Sequence, residues 1–234
     1  MLAFAMANVN RPMWPALAGE FLGTAFLVAA VVGSGTMAER LASGNVALVL
    51  LANSFATGAV LVTLIFTFAP ISGAHFNPVV TLAMCVERVF RWRDLPQYVV
   101  SQVSGGGLGV IMAHAMFELP LIQLSTRARS GGGQLVSEFV ATFGLILVIH
   151  GTSKRAAVVP LTVAAYISAA YWFTASTSFA NPAVTFARGL TATFAGIRMS
   201  DVFPFVVVQV IAAIAATLVF RRIRNPHFEV TDAD

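Results

Sequence analysis

The sequence predicts an all-α transmembrane protein with six spanning helices and two re-entrant half-helices, arranged as an inverted repeat. Three observations predict this fold class. The 234 residues are 58% hydrophobic and 10% charged, with a mean hydropathy of +0.83, which leaves too little polar surface to cover a soluble globule. Six apolar segments are long enough, or nearly so, to cross a bilayer. Two further apolar stretches each begin at an Asn-Pro pair.

The spanning segments follow from the length that crosses about 30 Å of hydrocarbon at about 1.5 Å per residue. The two Asn-Pro stretches lie between the second and third spans and between the fifth and sixth, and each continues for about a dozen residues, enough to reach halfway. Because lipid cannot satisfy bare backbone, we expect the spanning helices to enclose these stretches. The predicted spans are Pro15–Met37, Val46–Phe68, Leu95–Phe117, Gln134–Gly151, Ala156–Phe173 and Val202–Ile223.

The basic residues lie in short clusters between apolar segments, so the net charge of +4 indicates membrane topology and not nucleic-acid binding. The distribution of these 14 residues predicts that both termini face the cytoplasm. The expected cytoplasmic set is Arg11, Arg88, Arg91, Arg93, Lys154, Arg155, Arg221, Arg222 and Arg224. The expected outer set is Arg40, Arg127, Arg129, Arg188 and Arg198.

The sequence implies neither a cofactor nor the removal of an N-terminal signal peptide. Cys85 is the single cysteine, which excludes an internal disulfide and argues against a cysteine-based metal or redox site. The stretch Met1–Asn10 lacks a basic start and a cleavage site after a short apolar core, so we expect no removed signal peptide.

The chain repeats a set of polar residues in two halves, at about 14–117 and 134–223 of one channel domain covering 1–234. Each half has a glutamate at the start, then Asn-Pro followed by Val-Thr, then a glutamine in its last helix. Because three helices per half is an odd number, the second half inserts upside down relative to the first. The repeated residues are Glu20, Asn77, Pro78 and Gln102, then Glu138, Asn181, Pro182 and Gln209.

Asparagine at the N-cap followed by proline starts helices in proteins of every class. Two such starts in matching places of an inverted repeat predict two half-helices whose N-termini meet near the membrane midplane. Each N-terminus carries about half a positive charge, so their meeting point opposes cations and protons while neutral hydroxylic molecules can hydrogen-bond there. This arrangement describes a pore.

From Glu20 to Gln209 the chain resembles the aquaporin, or major intrinsic protein, family, most specifically in Ser72-Gly73-Ala74-His75-Phe76-Asn77-Pro78 and in the second Asn-Pro-Ala. The resemblance implies one pore per subunit, four subunits in a homotetramer, and passive transport through a bilayer. It also implies that each asparagine donates its amide to the solute while its carbonyl caps local backbone. The expected pore-centre residues are Asn77, Pro78, Val79, Asn181, Pro182 and Ala183.

The selectivity filter departs from the family pattern. Val184 stands where the family places an arginine, and Thr57 stands where an aromatic residue is usual. An ungapped count back from Asn181 puts the fifth-helix filter position at Ala169 and the loop position at Ser178. A one-residue gap would shift the fifth-helix position to Ser168 or Ala170. Small residues at these positions predict a wide throat without the cation-repelling charge. Arg188 lies one turn beyond Val184. Two roles stay open for it: a partial substitute for the missing arginine charge, or a surface or intersubunit role.

The stretch from Tyr171 to Thr185 is similar to bacterial aquaglyceroporins encoded with arsenic-resistance genes, which implies a bacterial inner-membrane location. It also implies neutral trivalent arsenicals as candidate solutes beside glycerol-like polyols and water. Undissociated arsenous acid is a small trihydroxy molecule similar to glycerol, and a methylated arsenical adds an apolar face. A valine wall would tolerate that face better than an arginine.

Other polar groups have structural and functional interpretations. Glu20 and Glu138 are acidic residues deep in predicted spans, a position that often marks a proton relay. Their matched places favour a support role, accepting hydrogen bonds from the backbone that leads into each half-helix, with Gln102 and Gln209 assisting. His75 is expected at the pore entrance, lining it or gating it with pH.

Other functional classes fit less well. A proton-coupled transporter needs titratable groups near the midplane, where the sequence has asparagines, and an enzyme needs a nucleophile and base or a metal cluster. An ion-permeable channel of the formate and nitrite type, or a narrow water-only channel, is the alternative. The sequence therefore predicts a channel for small uncharged solutes.

Overall fold

The computed structural model describes residues 13–224, which form eight α-helices and no β-strand. The predictions for Met1–Asn10 and Arg11 concern residues outside this range. A short 3-10 turn at Trp92–Asp94 precedes α4. The helices are α1 Trp14–Leu41, α2 Val46–Ser72, α3 Pro78–Val86, α4 Leu95–Met116, α5 Gly132–Thr152, α6 Val159–Phe173, α7 Pro182–Arg188 and α8 Met199–Arg224.

Five of these helices are long and apolar enough to cross a membrane, namely α1, α2, α4, α5 and α8. The predicted fifth span differs, because α6 has 15 residues and begins at Val159 instead of Ala156. At about 1.5 Å per residue α6 is about 22 Å long. Turns follow α5 and Pro160 occupies the first turn of α6, where proline starts a helix but cannot extend one backwards. The predicted fold class is confirmed by this all-helical arrangement.

The two half-helices are shorter than the dozen residues that the sequence suggests. Helix α3 has nine residues and α7 has seven. Both start from an asparagine in extended conformation, Asn77 with φ −155° and Asn181 with φ −159°, followed by proline. Helix α7 ends at Arg188 because Gly189 and Leu190 turn back onto its last residues.

The segments that lead into the half-helices have the same unusual backbone in both halves. Ala74 and Phe76 have φ of 51° and 49°, and Ser178 and Ala180 have φ of 51° and 47°. Left-handed conformations of this kind cost about 1–3 kcal/mol per residue, so the surrounding structure has to hold them. Both segments therefore share a strained backbone as well as a sequence pattern.

Helices α1 and α4 touch backbone to backbone. A Cβ at Gly105 would lie 2.3 Å from the carbonyl oxygen of Phe21, and one at Gly109 would lie 2.3 Å from that of Ala25. No side chain fits at either distance, so glycine at these positions permits the close approach. The contact fixes α4, and with it Gln102, against the helix that carries Glu20.

The outer surface of the bundle is apolar. Large hydrophobic side chains are exposed on several helices, for example Phe55 and Phe203, each 75% exposed, and Trp14 at 70%. Such continuous apolar exposure is foreign to soluble proteins and matches a lipid environment. The protein is therefore an integral membrane protein whose polar groups lie inside the bundle.

Candidate pore

The N-termini of α3 and α7 are joined by two crossed hydrogen bonds. Asn77 Nδ2 donates to the carbonyl oxygen of Ala180 at 2.8 Å, and Asn181 Nδ2 donates to that of Phe76 at 2.8 Å. Each asparagine thus binds the residue that precedes the other asparagine. The half-helices therefore meet end to end, with both amide groups at the junction.

The carbonyl oxygen of each asparagine caps its own half-helix. Asn77 Oδ1 accepts from the backbone N–H of Val79 at 3.0 Å, and Asn181 Oδ1 accepts from that of Ala183 at 3.0 Å. An amide NH₂ has two protons, and the crossed bond uses one. Both asparagines line the central cavity, so the second proton of each is available to a solute.

The other residues expected at the pore centre lie behind the asparagines. Val79 and Ala183 are fully buried in the first turn of each half-helix. Pro78 and Pro182 begin those turns. None of the four belongs to the cavity lining among residues 13–224. They set the direction of the asparagines without facing the cavity.

The two buried glutamates hold the strained segments. Glu20 accepts from the backbone N–H groups of His75 at 2.9 Å and Phe76 at 2.6 Å. Glu138 accepts in the same way from Phe179 and Ala180, both at 2.9 Å. Neither carboxylate lines the cavity. This geometry gives them a support role and offers no path for a proton relay along the cavity.

Each glutamine connects a glutamate to a half-helix. Gln102 Nε2 donates to Glu20 at 2.7 Å and to Thr81 Oγ1 at 3.1 Å. Gln209 Nε2 donates to Glu138 at 2.6 Å and to Thr185 Oγ1 at 2.9 Å.

The two threonines complete these chains, because their hydroxyls donate to the carbonyls of Asn77, at 3.1 Å, and Asn181, at 2.7 Å. Sequence reasoning assigned Thr81 and Thr185 no role. The repeated Val-Thr after each Asn-Pro was the signal that could have identified them.

A cavity runs past the junction of the two half-helices. Its lining is mostly aliphatic, with side chains from α1, α2, α5 and α6. His75 lines it, and its Nδ1 lies 3.1 Å from Thr81 Oγ1. The polar lining residues are Thr57, His75, Asn77, Tyr171, Ser178, Asn181 and Arg188.

Three of the predicted filter residues, Thr57, Ser178 and Val184, line the cavity, but the fifth-helix prediction, Ala169, is wrong. Ala169 is exposed, and the cavity is lined at this level by Ile167 and Tyr171. At 3.6 residues per turn, position 169 points about 160° away from both.

The alternative fifth-helix positions also lie off the cavity lining. Ser168 donates to the carbonyl of Ser54 at 3.3 Å, and Ala170 is fully buried. The loop between α6 and α7 sets this register, so a count back from Asn181 could not find Tyr171.

We call the residues Thr57, Tyr171, Ser178, Phe179, Val184 and Arg188 the throat. Tyr171 Oη lies 3.2 Å from Thr57 Oγ1, so an aromatic ring from α6 stands beside the small residue on α2. Tyr171 is 3% exposed. The throat therefore contains the aromatic ring whose absence the sequence suggested.

Arg188 is 2% exposed and lines the cavity, so the surface or intersubunit role is wrong. Its Nε donates to the carbonyl of Ala195, and its guanidinium carbon lies 3.4 Å from the centroid of the Phe179 ring. The expectation that the throat lacks a positive charge is also wrong. Val184 is apolar, and Arg188 places a guanidinium in the same cavity.

Comparison with known proteins agrees with this architecture. The chain is 48% identical over 208 residues to aquaglyceroporin AqpS of Rhizobium meliloti, covering 88% of this chain and 89% of that one. It is 33% identical over 159 residues to aquaporin NIP1-1 of Oryza sativa, covering 66% of this chain and 53% of that one. The X-ray structure of the aquaglyceroporin from Plasmodium falciparum superimposes with a TM-score of 0.69 at 20% identity, covering 92% of this chain and 97% of that one.

The model of the major intrinsic protein family matches residues 8–175. The match contains the first Asn-Pro and ends before the second. The chain therefore belongs to the major intrinsic protein family, and it is a membrane channel for small solutes and not an enzyme.

Proposed function

We propose that this protein is a passive channel for water, glycerol-like polyols and neutral trivalent arsenicals. The proposal rests on the crossed hydrogen bonds that the side-chain amides of Asn77 and Asn181 donate to the opposing loops. They hold two helix N-termini together on the cavity wall, where the positive ends of both helices favour a solute's hydroxyl oxygen and disfavour a cation.

The cavity suits a solute with one polar and one apolar side. Hydrogen-bonding groups follow one another from His75 through the two asparagines to the throat, while the remaining lining is mostly aliphatic. A polyol can replace its lost water contacts along the polar groups and place its carbon chain against the aliphatic wall. Among residues 13–224, no Asp or Glu side chain lines the cavity, which favours passive movement down a gradient.

Val184 supports the arsenical part of the proposal. Its side chain is 6% exposed and faces the cavity in the throat. A methylated arsenical would place its methyl group there without desolvating a charge. Stopped-flow uptake into proteoliposomes tests this: Val184→Arg should reduce methylarsenical flux more than glycerol flux, and Val184→Leu should reduce neither selectively. Equal flux of both solutes in Val184→Arg and the wild type would remove the explanation.

An ion-permeable channel of the formate and nitrite type, or a narrow water-only channel, remains the alternative. Planar-bilayer recordings distinguish the first, because the proposed channel passes glycerol without measurable current. A stopped-flow panel of water, glycerol and urea distinguishes the second.

We also propose a homotetramer in the bacterial inner membrane with both termini in the cytoplasm. The apolar outer face and the distribution of basic residues support this arrangement. Cross-linking in native membranes and protease accessibility of terminal tags test the two parts separately.

A further inference from the structure

We propose that Arg188, which is held on Phe179 and lines the cavity together with Tyr171, is the cation barrier of this pore. The inference rests on the proposed function of a channel for neutral solutes. In this proposal Arg188 supplies the positive charge that is missing at Val184, from a position one helical turn further along α7.

The position of Arg188 allows this role. Val184 and Arg188 are four residues apart on α7, so they share one face of the helix, and both line the cavity. Side chains on a helix lean toward its N-terminus. Arg188 reaches back in this way, because its guanidinium carbon lies 3.4 Å from the ring centroid of Phe179, a residue that precedes the helix. The charge therefore acts nearer the level of Val184 than its own Cα.

The charge of Arg188 is not neutralised by an ion pair. Within residues 13–224, none of the ion pairs that the structure contains includes Arg188. Its Nε is satisfied by the carbonyl of Ala195, and its face is covered by the Phe179 ring. The guanidinium is thus fixed in place while keeping its full charge in a cavity of low polarity.

A second arginine strengthens the positive field. Arg129 lies over the same Phe179 ring, with its guanidinium carbon 4.9 Å from the centroid. Backbone carbonyls of Gly196 and Ser176 hold its side chain at 2.9 Å each. Burial and the neighbouring charges of Arg188 and Arg127 lower the pKa of Arg129. The two guanidinium charges, offset in part by the buried carboxylate of Glu138, oppose a cation that approaches the throat.

Other residues of the throat supply hydroxyl groups. Ser178 Oγ is buried and has no hydrogen-bond partner among the described residues, although Ser178 lines the cavity. Tyr171 Oη is 3.2 Å from Thr57 Oγ1. Buried polar groups normally have partners, so a passing solute is the natural partner of Ser178. The guanidinium and the hydroxyls of the throat can both hydrogen-bond a small neutral polyol, while the charge opposes a cation.

The experiment removes the charge while keeping a donor for Ala195. Arg188→Gln is reconstituted in planar bilayers for Na⁺ and K⁺ conductance and in proteoliposomes for glycerol flux. We expect cation conductance to rise at least tenfold over the wild type, with glycerol flux retained within threefold. Arg188→Lys should remain impermeable to cations, because lysine keeps the positive charge.

Arg40→Gln is the matched control, since Arg40 is exposed and binds the Phe117 carbonyl away from the cavity. It should behave as the wild type. Adding Val184→Arg to Arg188→Gln should restore cation exclusion by returning a guanidinium to the throat.

Retained glycerol flux in Arg188→Gln without a rise in cation conductance would overturn the proposal. A wild type that conducts cations freely would also overturn it, whatever the variant does. If Arg188→Gln does not fold, the comparison of Arg188→Lys with the wild type decides: cation leakage through the charge-retaining variant contradicts the proposal, and cation exclusion with glycerol flux supports it. Absence of glycerol flux in a wild type that excludes cations contradicts the proposed function instead.

Discussion

The Glu138→Gln substitution tests whether buried carboxylates hold the half-helices in place. Glu138 accepts three hydrogen bonds, from the N–H groups of Phe179 and Ala180 and from Gln209 Nε2. The glutamine amide has one acceptor oxygen, and its NH₂ would face a backbone N–H. One buried donor would lose its partner, at a cost of about 1–3 kcal/mol, and the other two bonds would lose their charge assistance, about 1 kcal/mol each.

The expected loss is therefore about 3–5 kcal/mol in the free energy of unfolding. For a domain of this size each kcal/mol corresponds to about 2–4 °C in Tm, so Tm should fall by at least about 6 °C. Thermal unfolding of purified protein in detergent measures the shift, and glycerol flux per inserted protein should fall with it. Glu118→Gln is the matched control, because Glu118 is exposed. An unchanged Tm for Glu138→Gln would refute the reasoning about carboxylate support.

Three further predictions follow from the helix contact, the throat and the amide pair. Gly105→Ala would place a Cβ 2.3 Å from a carbonyl oxygen of α1 and should lower the free energy of unfolding by about 2 kcal/mol or more, whereas Gly107→Ala, with open space around it, should not. Detergent melting curves compare the two. Tyr171→Ala should increase the flux of four- and five-carbon polyols relative to glycerol, because it removes the throat's tyrosine ring; equal selectivity in stopped-flow uptake would contradict this. Asn77→Asp should lose the crossed bond, since a carboxylate cannot donate, and should lose most glycerol flux at equal insertion; wild-type flux would contradict it.

The sequence predicted those parts of the site that depend on local chemistry repeated in both halves. The Asn-Pro pairs predicted helix starts because an amide cap and a proline act within three residues of each other. The glutamates and glutamines were found through their matched places, since a buried carboxylate needs donors and a strained loop supplies them. The fold class followed from composition and segment length.

The throat could not be predicted to the same depth, because long-range geometry determines it. Ala169 was expected in the filter by counting residues, but the path of the loop after Phe173 rotates Tyr171 into the cavity instead. Arg188 shares a helix face with Val184, yet only the stacking on Phe179 fixes where its charge lies. Side-chain direction across a loop is a property of tertiary packing that residue spacing does not encode.

The length of the half-helices was overestimated for a related reason. The apolar run after Asn181 continues past Arg188 in composition, but Gly189 and Leu190 turn the chain back. Glycine just past a helix end was a stop signal in the sequence. A shorter α7 brings Arg188 to the last turn, where its side chain can reach both the Ala195 carbonyl and the Phe179 ring.

The most direct test of a pore for uncharged molecules at the junction of two helix N-termini is glycerol permeability under an imposed membrane potential. Purified wild type in proteoliposomes is given a glycerol gradient with and without a K⁺ diffusion potential, and volume change is followed by stopped-flow light scattering. The expected result is glycerol uptake well above that of empty liposomes and equal at both potentials. Uptake equal to that of empty liposomes, or uptake that follows the potential, would contradict the central claim.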